Sequence, residues 1–265
     1  MLQTRTVQYS PSATTYYLLS QSPSRGNGQA KDLAALAVGG VPYSSTNLGA
    51  GDVTRGYNDR LMNLPSSIDE VLAVRAALGP SGTRVLKGLQ ATETAITAAD
   101  LQTYDVMHLA VHGLSNTVYP DRAALVLLSN KSAGDDGFLQ LPEIVQLKLK
   151  SDLVVLSACE SAVGALQGQE GVSNLSRAFL LAGARTVVSS LWAIDDKSSL
   201  YLMRRFYRRI AKGQSFGLAL REAKRDMLRD FGPNAVPYNW AAFTLEGLGS
   251  AKLSTTGFGV RSRER

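Results

Sequence analysis

Cysteine is almost absent from this chain: a single residue, Cys159, occurs among 265. One cysteine excludes any internal disulfide, and its scarcity favours a reducing compartment such as the cytoplasm. Long apolar runs are missing too, because stretches such as Leu153 to Leu156 fall far below the ~20 residues that span a bilayer. Met1 to Ser10 contain no apolar segment of the secretory-signal type. We therefore expect a cytoplasmic protein with no membrane association.

Glycine-rich phosphate-binding motifs are also missing. Neither G-x-G-x-x-G nor G-x-x-x-x-G-K-[ST] occurs, which disfavours a nucleotide-binding α/β protein. The chain holds two histidines and one cysteine, with no carboxylate near them at ligand spacing, and this is a poor zinc-binding set. We expect no metal site and no cofactor.

Positive charge is in excess, since the formal net charge is +6, and much of it lies between Met203 and Asp230. A basic surface can bind nucleic acid, but no aromatic or glycine pattern of a known binding module accompanies this one. We therefore expect no nucleic-acid partner. A solvated helix face and a docking face for an acidic partner are the alternatives.

Short apolar runs separated by amphipathic segments dominate the rest of the chain, of which 45% is hydrophobic and 19% charged. The runs predict strands at Leu33 to Val38, Thr83 to Leu86, Val106 to Val111, Ala124 to Leu128, Leu153 to Leu156, Thr186 to Leu191 and Trp240 to Leu245. Helices are predicted after a Ser66 cap, over Thr92 to Ala99, from Pro142, and over Val172 to Ala182, Lys197 to Ala211 and Ser215 to Arg229. Alternating strands and helices predict an α/β fold whose mostly parallel sheet is covered on both faces.

Two predicted strand ends carry chemistry. One strand runs into His112-Gly113, and another ends at Ala158-Cys159. In open α/β sheets, sites form beyond the carboxyl ends of strands, and neighbouring parallel strands would bring these two ends together. A thiol beside an imidazole is the minimum for cysteine nucleophilic catalysis, and the backbone N–H groups of Gly113 and Cys159 could hold an oxyanion. The alternatives are a small core cysteine and, for His108, a packed, hydrogen-bonded histidine.

Two strings surround these strand ends: HLAVHG, from His108 to Gly113, and LSACES, from Leu156 to Ser161. They resemble the paired signatures of CHAT domains, which are caspase-like domains of the clan that includes caspases and separases. The segment from Gly168 to Asp196 follows the same family pattern, and the resemblance covers roughly Thr6 to Gly247. It implies a caspase-like three-layer sandwich, with a mostly parallel central sheet between two layers of helices.

The resemblance also implies the extent of the domain and the roles of its residues. Residues 1–248 would form one CHAT domain, and residues 249–265 a basic polar tail. Family members usually carry more sequence before the SPSAT strand, and often a helical-repeat array, so we expect an N-terminally truncated domain with a regulatory protein or helical-repeat partner. His112 matches the family's catalytic histidine, Cys159 its nucleophile and Gly113 the glycine of its oxyanion hole.

Acidic residues near these strand ends are candidates for binding substrate. In separases, a segment similar to Leu191 to Asp196 contributes an acidic residue that receives a basic P1 side chain; Asp196 is the nearer match and Asp195 its neighbour. The alternative is that an aspartate here caps the following helix. Glu160 and Glu170 are further candidates, and charge at a helix N-terminus is the alternative for both.

Two hypotheses about function follow. The first is a cysteine endopeptidase that cleaves a protein or peptide substrate, after a basic P1 residue. The second is a catalytically idle interaction or signalling module of the same fold. The presence of both His112 and Cys159 favours the first.

Overall fold

The structure is a computed structural model that describes residues 4–22, 33–43, 61–114, 123–157 and 169–253, without the side chains of residues 169–173. Its strands are β1 Ala35–Gly39, β2 Thr83–Lys87, β3 Val106–Ala110, β4 His112–Leu114, β5 Ala124–Val126, β6 Phe138–Gln140, β7 Leu153–Leu156, β8 Thr186–Ser190 and β9 Phe243–Gly247. Its α-helices are α1 Ala13–Gln21, α2 Pro65–Leu78, α3 Glu93–Thr97, α4 Leu141–Gln146, α5 Gln169–Leu181, α6 Asp196–Ile210, α7 Phe216–Phe231 and α8 Pro237–Trp240.

A six-stranded sheet runs through the centre in the order β2-β1-β3-β7-β8-β9. All neighbouring pairs are parallel except β8 and β9, which are antiparallel. Every residue of β1, β3, β7 and β8 is buried, as continuous apolar runs predict for strands that are covered on both faces. The prediction of a mostly parallel central sheet is confirmed.

Helices cover both faces of this sheet, and each face has its own hydrophobic core. One core joins the sheet to α4 and α5 and to the smaller sheet described below. The other joins it to α2, α6 and α7, and α6 also packs against both α2 and α7. The predicted three-layer arrangement is therefore confirmed. None of the helices in the described ranges combines the length and the apolar character that crossing a bilayer requires.

A second, three-stranded antiparallel sheet has the order β4-β5-β6. The sequence predicted one strand through Val106 to Val111 that runs into His112. Instead, β3 ends at Ala110, and His112 begins β4 in the second sheet. The chain changes sheets within two residues, and this places His112 where the two sheets meet.

The starts of two helices differ from the sequence-based expectations. Helix α2 begins at Pro65 with Leu64 as its N-cap, so the prediction that Ser66 caps it was wrong. Proline has a preset φ and no N–H, which suits the first helical position. The SPSAT segment, expected as a strand, leads into α1, where the Ser12 hydroxyl accepts a hydrogen bond from the Thr15 amide.

The chain beyond β9 contacts α7 over its first residues. The Phe216 amide donates to the Ala251 carbonyl at 2.9 Å, and Leu253 is buried. Residues 254–265 lie outside the described ranges, so the tail boundary at residue 249 stays a prediction.

A buried polar cluster ties β3 to two helices. His108 of β3 lies 2.9 Å from the Tyr207 hydroxyl on α6 through Nδ1, and 2.9 Å from Glu70 Oε1 on α2 through Nε2. The contact with Glu70 is at ion-pair distance but is not aligned as a hydrogen bond. Burial raises the pKa of Tyr207 well above its ordinary value, and the nearby negative charge of Glu70 raises it further. His108 is thus a packed histidine that joins the sheet to α2 and α6.

We predict that His108→Ala lowers the free energy of unfolding by about 2–5 kcal/mol, because it opens a cavity and leaves the Glu70 carboxylate buried without a partner. Urea unfolding, followed by circular dichroism, measures the change. Asp69→Asn, at an exposed neighbouring position on α2, is the control and should change the free energy by less than about 0.5 kcal/mol. Equal stability of His108→Ala and the wild type would contradict a structural role for the cluster.

Candidate functional site

The candidate site lies where β3 and β7 end. These strands are adjacent and parallel, with Leu109 opposite Leu156, so the chain leaves both at the same edge of the sheet. His112 and Cys159 each follow three residues after that register pair. The predicted adjacency of the two strands is confirmed. Cys159 and Glu160 lie outside the described residues, as does the side chain of Glu170.

His112 is held from one side by a backbone carbonyl. Its Nε2 lies 2.7 Å from the Met62 oxygen, and the residue is buried. A carbonyl can only accept, so in the neutral imidazole this contact requires the proton on Nε2 and leaves Nδ1 as the acceptor. A histidine in this tautomer can take a proton through Nδ1.

Tyr43 holds the backbone of His112. The Tyr43 hydroxyl accepts a hydrogen bond from the His112 amide at 2.8 Å and donates to the Val126 carbonyl on β5 at 3.1 Å. Burial raises the pKa of Tyr43, so this hydroxyl stays protonated. The two rings lie with their centroids 4.4 Å apart, and the Tyr43 amide donates to Asn63. Tyr43 therefore fixes both the position of His112 and the join between β4 and β5.

Gly113 presents its amide away from the small sheet. The His112 amide points towards β5, because the Tyr43 hydroxyl that it contacts also bonds Val126 there. Successive amides along a strand point in opposite directions, so the Gly113 N–H points away from β5. Since β4 is an edge strand of that sheet, this amide is not used by the β4–β5 pairing.

The surroundings of His112 bias its imidazole towards the neutral form. Burial lowers the pKa of the His112 imidazole, while the Met62 carbonyl and the negative charge of Asp196 oppose that fall. For Asp196 itself, burial raises the pKa, and hydrogen bonds from Ser66 oppose the rise. A neutral imidazole is the form that can act as a base. Asp196 lies close enough for its charge to act on it.

The two aspartates have different roles at the start of α6. Asp195 is the N-cap: its Oδ2 accepts from the Ser198 amide at 3.0 Å and from the Ser198 hydroxyl at 3.1 Å. Asp196 is the first helical residue, and its Oδ2 accepts from the Ser66 amide of α2 at 2.6 Å. The capping alternative therefore holds for Asp195 and not for Asp196. Asp196 instead joins the starts of two helices beside His112.

Sequence reasoning missed Tyr43, Met62 and Ser66 as parts of this site. Each acts through a contact far along the chain, such as the pair of Tyr43 and His112, which are 69 residues apart. No local pattern singled out Tyr43, which lies four residues after the end of β1.

Comparisons with known proteins agree with this architecture. The family profile described as CHAT domain matches residues 1–248. Tetratricopeptide repeat protein 28 from Mus musculus is 34% identical over 109 residues, and the Homo sapiens protein of that name is 33% identical over the same length. Each match covers 41% of this chain and only 4% of the relative.

A solved structure shares the fold. The crystal structure of the Saccharomyces cerevisiae separase–securin complex gives a TM-score of 0.52 at 16% identity. The match covers 92% of this chain and 14% of that chain. The likeness shows a caspase-like fold.

We predict that the imidazole of His112 titrates below its ordinary pKa, and that Asp196→Asn lowers the pKa further, because the variant removes a negative charge that favours the imidazolium. Proton-detected NMR titration can follow both histidines of the chain separately. Asp195→Asn is the matched control and should leave the pKa of His112 almost unchanged. A pKa that rises in Asp196→Asn, or that moves equally in both variants, would contradict the account.

Proposed function

This chain belongs to the CHAT domain family, and we propose that it is a cysteine endopeptidase in which His112 and Cys159 form the catalytic dyad. The observation that carries the proposal is the pairing of β3 with β7, in which Leu109 lies opposite Leu156 and each candidate residue follows three positions later. The chain therefore leaves both strands at the same edge of the sheet. The tautomer that the Met62 carbonyl favours adds support, because it leaves Nδ1 as a proton acceptor.

The proposed reaction proceeds through an acyl-enzyme. Nδ1 of His112 takes the proton of the Cys159 thiol, and the thiolate attacks the scissile carbonyl carbon. The carbonyl π electrons move to oxygen, where the N–H groups of Gly113 and Cys159 stabilise the negative charge. As the oxyanion collapses, the C–N bond breaks and the His112 imidazolium gives its proton to the leaving amine. Water, deprotonated by His112, then attacks the thioester and releases the acid and the thiol.

We propose that the substrate is a protein cleaved after a basic P1 residue, with Asp196 as the main acidic contact. Asp196 is partly buried and close enough to His112 for its charge to act there. A carboxylate has about four lone-pair sites, so the bond from Ser66 leaves acceptor capacity for a guanidinium or ammonium. Asp195 and Glu160 are proposed as secondary contacts. Asp195 is exposed and already caps α6, which favours a smaller contribution.

We also propose regulation by a protein partner or by a helical-repeat domain. The curated relatives are named for tetratricopeptide repeats, and this chain matches only 4% of their length. The same observation favours the second candidate function, a catalytically idle interaction module. The two functions differ in whether Cys159 turns over substrate.

The proposed dyad can be tested by substituting each of its two residues. Cys159→Ala and His112→Ala should each abolish cleavage of a peptide library, and the double variant should be little worse than either single one, because residues that act as a unit lose their effect together. Mass spectrometry of the library products measures the loss. His108→Ala, assayed at a temperature where it stays folded, should retain turnover. Turnover in Cys159→Ala would rule out this nucleophile, and an inactive wild type would favour the idle module.

The P1 contact can be tested with paired substrates that carry arginine or norleucine at P1. In Asp196→Asn, the preference for arginine should fall by well over tenfold, since losing a buried charge pair costs on the order of 2–5 kcal/mol. Asparagine can still accept the bond from Ser66, so the link to α2 persists. Asp195→Asn should change the preference less, because asparagine caps about as well as aspartate. A wild-type preference for apolar or acidic P1 residues would refute the idea.

A further inference from the structure

The outer edge of β9 is only partly paired. In the β8–β9 register, Ser189 lies opposite Thr244, and the Leu191 amide bonds the Ala242 carbonyl, so even-numbered residues of β9 face β8. Odd-numbered residues therefore turn their backbone groups outward. Tyr9 takes two of these groups: its amide bonds the Leu245 carbonyl at 2.8 Å, and its carbonyl accepts from the Gly247 amide at 2.9 Å.

Two of the remaining outward groups have no partner in the described part of the chain, although both residues are only about 1% exposed and line the groove described below. Within the described ranges, the amides of Phe243 and Leu245 have no hydrogen-bond partner outside the sheet. The Phe243 carbonyl accepts from Nζ of Lys224 on α7 at 2.5 Å. A strand edge with two unused donors is a template for pairing with another chain.

A groove of about 280 Å³ lies beside these two residues, between α7 and residues 5–9. Its walls are largely apolar, with Val7, Leu220 and Trp240 among them. Val7 and Tyr9 stand exposed at its rim. A groove of this shape can accept the alternate side chains of an extended peptide.

The charged residues of the groove are all cationic. Arg5, Arg221 and Lys224 line it, and no acidic residue does so among the described residues. Arg221 is paired with the adjacent Glu222 at 2.8 Å, whereas Arg5 has no carboxylate partner in the part of the chain that the structure describes. Burial lowers the pKa of Lys224 to about 8, and within the described ranges this ammonium donates to the Phe243 carbonyl. A carboxylate would therefore find both charge and space here.

We propose that an extended, acidic segment of a partner protein docks in this groove and adds a strand to the outer side of β9. Its backbone pairs with Phe243 and Leu245, its apolar side chains contact the groove walls, and its carboxylates bind Lys224 and Arg5. Lys224 then exchanges the Phe243 carbonyl for a carboxylate. In the sheet, β8 and β7 lie between β9 and β3, so this groove is distinct from the strand ends that precede His112 and Cys159. The proposal does not rest on the proposed peptidase activity.

The probe is a fluorescein-labelled peptide of about eight residues that alternates valine with glutamate, which suits a strand of ordinary length. Fluorescence anisotropy with the full chain should show saturable binding. Lys224→Met should weaken it about tenfold or more, because the buried cation is lost. Arg204→Gln is the matched control and should not change it, since Arg204 lies in the separate groove between α2 and α6.

Two further measurements separate strand addition from simple charge attraction. A peptide that is N-methylated at alternate residues keeps its charge but cannot pair along a strand, so it should not bind. Amide exchange at Phe243 and Leu245 should slow when the unmodified peptide binds. The proposal is overturned by absent or unsaturable binding, or by equal binding of the methylated peptide. It is also overturned by amide protection without peptide, which would indicate that a second copy or residues of this chain already cover the edge.

Discussion

The parallel pairing of β3 with β7 is the constraint on which the candidate site depends. Two parallel neighbours must leave a sheet at the same edge, and the register of Leu109 with Leu156 aligns their ends. The apolar runs of these strands are buried on both faces of the sheet. Because side chains alternate between the two faces, a slip of one residue would move each side chain to the opposite face. The packing that stabilises the fold thereby also determines where His112 emerges.

The surroundings of His112 combine rigidity with a bias towards the neutral imidazole. Because the chain passes from β3 into β4 within two residues, His112 belongs to the small sheet while it stays next to the large one. Tyr43 fixes its backbone and the Met62 carbonyl fixes its ring. Burial lowers its pKa, and Asp196 limits the fall. A group held in this way needs little reorganisation before it accepts a proton.

The sequence was sufficient for elements whose pattern is local. Leu153–Leu156 was predicted with its observed bounds, because a short run of four apolar residues in an alternating strand–helix pattern indicates a buried strand. Helices α6 and α7 followed from their amphipathic periodicity. Strands β4 and β6 were missed, since three residues carry too little periodicity. The contacts of Tyr43 and of Ser66 with Asp196 depend on distant segments, which no local pattern encodes.

The most direct test of the account measures how the rate of alkylation of Cys159 depends on pH. The chain has no other cysteine, so iodoacetamide labelling of the folded protein reports this thiol alone. If His112 activates it, the wild type should react rapidly near neutral pH, with a midpoint below the ordinary thiol pKa of about 8.5. In His112→Ala the midpoint should return towards that value, while Asp195→Asn should keep the wild-type profile. Identical profiles for the wild type and His112→Ala would contradict the central claim that these two strand ends form one site.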